Sequence, residues 1–356
     1  GLLDITKSPY NADPTGQTDS TKAIQTAVND ARDKKLVCFF PSGTYLISDM
    51  ISCEQRVQKR DEPRYTDSMR QSYWDTSRDT IYMLGSAKGT RPVLKLAENA
   101  TGFDDPSNPK YAVKIWAQTR NDYMGQNEPL WGLEQPNISF SHIYRGIDID
   151  IRGHKGAIGL RHTGSQGTAL MDCKVYAEGA FAGFSNCPGQ GGGTYNLEVT
   201  GGKYGIYADP QYRFPMLAAC KFTGQEVAPV YYRTSNLPMV LVGCYLESKS
   251  QTAIDLSDIE KFTGINLIDC IIQTKPGGTV IATSSPQNVF MENVYLKDCG
   301  ELQSNDSIKK KPSSWTKVKL YSYCEGSSKN LINGNISGDA FYDLESTQNE
   351  PFWKDI

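Results

Sequence analysis

The feature that most constrains this chain is a short polar–apolar alternation that returns about every 24 residues. Such alternation has the period of a half-buried strand. The apolar second position of each copy is occupied by Ile149, Cys173, Leu197, Cys220, Cys244, Cys270 and Val294. Their steps of 24, 24, 23, 24, 26 and 24 residues predict that each turn of chain stacks on the turn before it. We call this series the first ladder.

A second ladder has almost the same period and runs through Ile158, Ala182, Ile206, Val230, Ile254 and Val280. Two strand ladders that share one period predict an all-β fold, a right-handed single-stranded parallel β-helix from Leu36 to Cys299. A leucine-rich repeat has a similar period, but it requires a leucine-spaced helical segment. Turn residues such as Gly201-Gly202 stand between the strands here instead.

The ends of the solenoid and two long inserts complete the predicted organisation. Asp19 and Ser20 are N-cap residues for a helix over 20–32, which we expect to cover the open N-terminal end. The β-helix domain is predicted to span 1–310, and residues 311–356 an irregular last coil and tail. The inserts at 54–80 and 117–136 are rich in aromatic residues, which favours ordered walls around a ligand.

Composition excludes several classes of function. The net charge is −3 and the basic residues are spread along the chain, so neither nucleic acid nor a membrane is an expected partner. Four Asn-x-Ser/Thr motifs and a first residue that is not Met fit a processed protein, which we expect to be secreted or periplasmic. Nine cysteines without a Cys-x-x-Cys spacing predict core residues rather than a zinc site, and no cofactor is expected.

Two groups of segments resemble known families. Residues 13–25 and Phe40-Pro41-Ser42-Gly43-Thr44-Tyr45 resemble the opening of the pectate-lyase-like superfamily. Residues 159–170 and 201–207, with Gln211 just beyond, resemble the first β-helix of the exo-β-1,3-glucanases of glycoside hydrolase family 55.

The first resemblance implies fold more than reaction, because lyases, hydrolases, epimerases and phage tail-spikes share that opening motif. The second implies substrate-contacting amides at Gln166 and Gln211. That family joins two β-helices, binds sugar between them and takes its acidic catalyst from the second, whereas this chain holds one β-helix. The resemblance therefore implies either a second β-helix domain beyond the chain end or a one-helix relative with different chemistry.

The outward positions of the first ladder are predicted to form two mostly polar columns. One reads Asp150, Lys174, Glu198, Lys221, Tyr245, Ile271 and Tyr295, and its neighbour reads Arg152, Tyr176, Thr200, Thr223, Glu247, Gln273 and Lys297. A solvated face whose charges support one another across coils is one interpretation. The other is a sugar-binding face on which Tyr176 and Tyr245 stack against pyranose rings.

The outward column of the second ladder places Asp209 between Ser185 and Arg233, at the ~5 Å spacing of neighbouring strands. An Asp beside an Arg stays ionised, which suits a base or a hydroxyl acceptor more than a proton donor. An interstrand ion pair would leave the same pattern. The residues predicted to bind substrate are Arg161, His162, Gln166, Tyr207, Gln211, Arg233, Tyr176 and Tyr245, and the glycine-rich run 189–193 is expected to let a ligand approach the backbone.

These patterns predict a protein that acts on a polysaccharide, and three functions stay open. A glycoside hydrolase of a β-glucan-like polymer needs two carboxyls ~5 Å or ~6.5–9.5 Å apart, for which Asp209, Glu226 and Glu247 are the catalytic candidates. A lyase of uronate polymers would use Lys203, Tyr212 or Arg213. A non-catalytic glycan-binding or tail-spike-like module, as a homotrimer, is the third. Asp148 and Asp150 offer oxygen ligands, but too few for Ca²⁺.

Overall fold

The computed structural model describes residues 1–55, 58–59, 74–75, 80–117, 134, 139–189, 191–209, 215–233, 238–259, 264–285, 287–308, 315–323, 328–329, 336–337 and 341–347. They contain one helix, α1 (Thr21–Lys34), and strands that alternate with tight turns. The first strands are β1 (Leu2–Asp4), β2 (Thr15–Asp19), β3 (Val37–Phe40), β4 (Thr44–Ile47), β5 (Ile51–Gln55), β6 (Gln58–Lys59), β7 (Trp74–Asp75), β8 (Tyr82–Gly85), β9 (Val93–Leu96), β10 (Lys110–Ala117), β11 (Ile143–Arg145), β12 (Asp148–Asp150), β13 (Ala157–His162) and β14 (Ala169–Tyr176).

The later strands are β15 (Ala182–Ser185), β16 (Gly193–Thr200), β17 (Tyr204–Ala208), β18 (Met216–Ala218), β19 (Lys221–Gln225), β20 (Ala228–Tyr232), β21 (Met239–Val242), β22 (Tyr245–Ser248), β23 (Thr252–Leu256), β24 (Gly264–Ile268), β25 (Ile271–Thr283), β26 (Asn288–Gln303), β27 (Asp306–Ser307), β28 (Trp315–Tyr323), β29 (Ser328–Lys329), β30 (Ile336–Ser337) and β31 (Phe341–Thr347). The chain divides into two compact units. Unit 1 holds residues 1–176 and 187–193, and unit 2 holds residues 177–186 and 194–356.

Unit 1 is a stack of coils with three parallel ladders. The first ladder runs through β4, β9, β12 and the end of β14, and the second through β5, β10 and β13. A third ladder runs through β3, β8, β11 and the start of β14. The predicted helix is α1, whose buried residues Ile24, Ala27 and Val28 cover apolar surface of this unit. Most of both long inserts lies outside the described residues.

Unit 2 repeats the same arrangement. Its first ladder runs through β16, β19, β22, β25 and β26, and its second through β15, β17, β20, β23 and β25. The third ladder, which the sequence did not reveal, passes through β18, β21, β24 and β26 with buried Leu217, Leu241, Leu267 and Met291. These parallel coils confirm the predicted parallel β-helix.

The C-terminal strands leave the parallel pattern. β28 pairs antiparallel with β26, and β31 pairs antiparallel with β28. The sequence predicted an irregular coil here, and the structure instead places strands along one edge of unit 2. Edge strands expose unpaired backbone groups, so this addition covers an edge that the coils would otherwise leave open.

The predicted register of the first ladder was wrong by two residues in unit 1. Asp150 pairs with Tyr176, whereas the repeat placed it beside Lys174. The turn before each first-ladder strand contains a residue with left-handed backbone conformation, which is Gly146 (φ 70°) in one coil and Asp172 (φ 57°) in the next. The same conformation recurs at Asn196, Ala219, Gly243, Asp269 and Asn293. The Asp and Asn of the repeat are therefore turn residues that tolerate positive φ, not outward strand residues.

The cores of both units are filled by apolar side chains and small thiols. Cys220, Cys244 and Cys270 are fully buried in successive coils of unit 2, as the repeat predicts. All eight cysteines of the described residues are free thiols. In that part of the chain, no helix is long and apolar enough to cross a membrane.

Candidate functional site

The second ladder of unit 2 carries a cluster of four aromatic side chains. Tyr207 of β17 is the register partner of Tyr231 of β20. Their rings are stacked, with centroids 4.6 Å apart and planes at 9°. Tyr204 and Phe181 complete the cluster, with ring centroids 5.1 Å from that of Tyr207. Because Tyr207 and Tyr231 cover one face of each other, those two ring faces are closed to a ligand.

Each stacked tyrosine donates its hydroxyl to a carboxylate. Tyr207 donates to Asp209 at 3.1 Å, and Tyr231 donates to Asp258 at 2.6 Å. Burial, together with the neighbouring carboxylates, raises the pKa of Tyr207 to about 12 and raises the pKa of Tyr231 as well. Both phenols therefore remain neutral hydrogen-bond donors near neutral pH. Asp258 did not stand out in the sequence, because it lies in the turn after β23 and outside the ladder pattern.

Asp209 also forms an ion pair with Arg233, as the sequence predicts. The guanidinium nitrogen Nε lies 2.5 Å from the carboxylate oxygen Oδ1. The Asp209 side chain is 17% exposed and the Arg233 side chain 48% exposed, so the pair is open to a ligand from the Arg233 side. Asp209 thus accepts hydrogen bonds from both Arg233 and Tyr207.

A third carboxylate lies beside this cluster. Asp255 is the register partner of Tyr231 and accepts hydrogen bonds from the backbone and hydroxyl of Ser257 at 3.0 and 2.6 Å. Asp209, Asp255 and Asp258 thus surround one end of the tyrosine stack, with Arg233 among them. Carboxylates and a guanidinium can each bind two hydroxyls at once, which is the chemistry that recognises the vicinal hydroxyls of a sugar.

The other predicted residues of this ladder have different neighbours. Ser185 pairs with Tyr207, so it is not beside Asp209 as the sequence predicted. The cause is again a shift of two residues: Phe184, not Ala182, is the partner of Ile206.

The three candidate catalytic carboxylates do not meet at one point. The backbone of Glu226 donates to the carbonyl of Gly202. Gly202 precedes β17 and Asp209 follows it, so Glu226 and Asp209 lie at opposite ends of this strand. Glu226 is exposed in a turn. Glu247 lies on the first ladder, where it accepts a hydrogen bond from Tyr245 at 3.2 Å.

The predicted binding residues of unit 1 are held in structural contacts. Arg161 is 7% exposed and donates two hydrogen bonds of 2.9 Å to Glu134, which also pairs with Lys114 at 3.0 Å. Burial raises the pKa of Glu134, but these two cations outweigh it and the pKa is lowered. His162 is fully buried, and its Nδ1 accepts the backbone N–H of Gly164. Neither Arg161 nor His162 therefore offers a free group at the surface.

Gln166 is exposed in a turn of unit 1, and Gln211 lies outside the described residues. The glycine-rich run packs against this turn rather than leaving space for a ligand. A Cβ on Gly192 would lie 2.7 Å from the hydroxyl of Thr168, and Gly193 donates to the Thr168 carbonyl. Close packing therefore explains Gly192, and a left-handed backbone (φ 73°) explains Gly191.

The two tyrosines predicted to stack on sugar are contacted by cations. Lys174 and Arg152 lie 4.8 and 5.4 Å from the ring of Tyr176, and Lys221 lies 5.7 Å from the ring of Tyr245. These contacts leave both rings half-buried and support a charged face. Across the described residues, no group of three or more His, Cys, Asp or Glu side chains is arranged to hold a metal ion.

Comparison with known proteins identifies a family. The sequence model of the family described as "Rhamnogalacturonase A/epimerase, pectate lyase-like" matches residues 8–255. This match confirms the predicted resemblance to the pectate-lyase-like superfamily, and the narrower resemblance to glycoside hydrolase family 55 stays a prediction. No curated protein sequence matches the chain.

Several solved structures have similar chain paths at low sequence identity. An iota-carrageenase complexed to iota-carrageenan fragments is 10% identical with a TM-score of 0.43, and the match covers 82% of this chain and 58% of that one. The ORF18 protein of Geobacillus virus E2 is 12% identical with a TM-score of 0.41, covering 91% and 67%. The surface adhesin PfbA of Streptococcus pneumoniae is 11% identical with a TM-score of 0.34, covering 95% and 100%. The chain thus spans less than two thirds of the length of the carrageenase.

Proposed function

Because the chain belongs to the rhamnogalacturonase A/epimerase, pectate-lyase-like family, we propose that it is a carbohydrate-active enzyme, a glycoside hydrolase that acts on a β-glucan-like polysaccharide. The observation that carries this proposal is the polar cluster at the end of the tyrosine stack. Asp209, Arg233 and Asp258 present charged hydrogen-bonding groups beside neutral phenols. Neutral sugars are held by many directional hydrogen bonds of this kind.

The tyrosine cluster itself does not supply the base that the lyase alternative needs. A lyase needs a base that is readily deprotonated near neutral pH. Burial raises the pKa of Tyr204, Tyr207 and Tyr231, which makes them poorer bases at that pH. Of the basic residues predicted for a lyase, Lys203 lies 5.7 Å from the ring of Phe181, and Tyr212 and Arg213 lie outside the described residues.

A non-catalytic glycan-binding module is the second candidate, because the partly exposed pair of Asp209 and Arg233 suits binding as well as it suits catalysis. Binding and hydrolysis are separated by incubating the protein with soluble β-1,3-glucan, xylan, polygalacturonate and rhamnogalacturonan. A hydrolase releases reducing ends, and a lyase creates new ultraviolet absorbance. A binding module does neither, but its migration is slowed in gels that contain the glycan. We further propose that the protein acts outside the cell and that its partner is a polysaccharide. A homotrimer and a second β-helix domain are also proposals.

The location of the site is tested with paired variants. Asp209→Asn and Arg233→Gln should each weaken glycan affinity at least tenfold, because each removes a charged hydrogen-bonding group from the cluster. Glu226→Gln is the matched control, since Glu226 is exposed and lies at the opposite end of β17 from Asp209. Unchanged affinity in the first two folded variants would move the glycan site away from the second ladder of unit 2.

A further inference from the structure

Glycoside hydrolysis uses two carboxyl groups, one as the proton donor and one as the base or nucleophile. A groove on the first ladder of unit 1 has Asp148 in its wall, and Asp150 lies next to it along β12. Its volume is about 490 Å³ and its walls are Gly43, Thr44, Thr90, Arg91, Val93, Asp148 and Tyr176. This volume lies in the range of small-ligand sites. Hydroxyls, a guanidinium, a carboxyl and an aromatic ring together make up a lining suited to a sugar residue.

The corrected register places two carboxyls on one face of β12, and Asp148 is the one that lines this groove. Asp148 is the register partner of Val93, and Asp150 is the partner of Lys95 on one side and of Tyr176 on the other. Residues two apart on a strand point to the same face. Their Cα atoms are therefore ~6.6 Å apart at the usual rise per residue. Side chains that leave one face of a strand at this spacing can hold their carboxyls at the ~6.5–9.5 Å used by inverting glycosidases.

The two carboxyls have different surroundings. Asp148 is 6% exposed; it accepts the backbone N–H of Lys174 at 2.8 Å and a hydrogen bond from Arg91 at 3.1 Å. Burial raises its pKa, and these contacts offset the shift only in part. Burial also acts on Asp150, but two hydrogen bonds from Arg152, at 2.8 and 2.5 Å, outweigh it and lower the pKa.

A pair of carboxyls whose environments separate their pKa values is the usual arrangement of an acid and a base. Among the described carboxyl groups with a resolved shift, Asp148 is the one whose pKa is raised. The site is not an acidic cluster for a divalent cation, because the basic residues Arg91, Lys95, Arg152 and Lys174 surround the pair.

We propose that Asp148 and Asp150 are the general acid and general base of the hydrolase, with the sugar at the point of cleavage in the groove beside Tyr176. This inference rests on the proposed glycoside hydrolase function. It assigns proton transfer to unit 1 and leaves the tyrosine cluster of unit 2 as a glycan-binding surface.

The reaction is balanced with one water molecule. The proton of the Asp148 carboxyl passes to the glycosidic oxygen as the bond from that oxygen to the anomeric carbon breaks. The oxygen of water bonds to the anomeric carbon from the opposite face, and the Asp150 carboxylate takes the proton that the water loses. The products are an alcohol and a hemiacetal of inverted configuration. Asp148 ends ionised and Asp150 protonated, and exchange with solvent restores both.

The test compares two substrates that differ in their need for a proton. On soluble β-1,3-glucan, Asp148→Asn should lower kcat by ~10²–10⁴-fold, the usual contribution of a general acid. On a 2,4-dinitrophenyl β-glycoside, whose leaving group needs no proton, the same variant should keep most of its activity. Its pH profile on the glucan should also lose the alkaline limb. Asp150→Ala should be slow on both substrates, and azide should rescue it by forming a glycosyl azide of inverted configuration.

Asp172→Asn is the matched control, because Asp172 lies in the turn between first-ladder coils and pairs with Arg145 outside the groove lining. It should behave as wild type. Equal loss on both substrates in Asp148→Asn would assign Asp148 a structural role and overturn the proposal. Full activity of the Asp148 and Asp150 variants would refute the assignment of these two residues as acid and base, but it would not refute the proposed hydrolase function. A wild-type protein that cleaves neither substrate nor any glycan of the panel would refute both.

Discussion

Two buried histidines in unit 1 predict a loss of stability in mild acid. His142 and His162 are fully buried with ring centroids 6.4 Å apart. Each Nδ1 accepts a backbone N–H, from Ile81 and from Gly164 respectively. The proton of each neutral ring is therefore on Nε2, which has no hydrogen-bond partner among the described residues. A second proton on either ring would place a buried charge without an acceptor.

The size and sign of the effect follow from the two pKa values. Burial lowers the pKa of His142 and of His162 from 6.5 to about 3, and the neighbouring His142 adds to the lowering for His162. Between pH 6.5 and 3 the unfolded chain thus binds protons that the folded chain does not, so stability is complete above pH 6.5 and falls as the pH drops. At pH 5 each ring costs about 2 kcal/mol, or about 4 kcal/mol for the pair.

Urea unfolding followed by tryptophan fluorescence at pH 5, 6 and 7 measures this loss. The double variant His142→Asn/His162→Asn is the comparison, because Asn keeps an acceptor near the position of Nδ1 but does not titrate. Asp148, whose raised pKa favours the folded state in acid, contributes equally to both proteins and cancels. Wild-type stability that changes by less than about 1 kcal/mol between pH 7 and 5, or an equal change in the double variant, would refute the reasoning.

Three further predictions concern stability in unit 2. Ala219 has a left-handed backbone (φ 53°), so Ala219→Gly should raise the free energy of unfolding by about 1 kcal/mol in urea titrations. A Cβ on Gly205 would lie 2.6 Å from the carbonyl oxygen of Pro229. Gly205→Ala should therefore lower the free energy of unfolding by about 1–3 kcal/mol, which is seen as a lower melting temperature. Gly264→Ala is the control, because its Cβ would have its nearest contact at 3.4 Å; it should change the free energy of unfolding by less than about 0.5 kcal/mol. Arg233→Leu removes a partly exposed ion pair and should lower the free energy of unfolding, measured by calorimetry, by less than about 1 kcal/mol. A larger loss would show that the ion pair with Asp209 stabilises the contact between neighbouring coils.

Part of the tyrosine cluster was predictable from the sequence. Tyr207 and Tyr231 are 24 residues apart, as are Asp209 and Arg233, so an array with that period brings each pair together. Asp258 was missed because it lies in a turn, where chain geometry rather than period sets position.

The repeat aligned Asp148 and Asp150 with the wrong residues of the next coil, so their true neighbours were not apparent from the sequence. The error was two residues, which keeps each side chain on its face of the sheet but changes its partner along the ladder. The true neighbours are Val93, Lys95 and Tyr176, and two of them, Val93 and Tyr176, line the groove together with Asp148.

The sequence by itself determined the stacking of parallel coils, because a repeating apolar position in each turn can be buried only by the turns next to it. It also determined the buried column of Cys220, Cys244 and Cys270. Only the tertiary structure decided the register, the third ladder and the environment of each carboxyl. These depend on where a left-handed turn residue such as Gly146 or Asp172 bends the chain. The environment of each carboxyl depends also on which cations from neighbouring coils reach a buried acid. Periodicity alone encodes neither the positions of the bends nor these contacts.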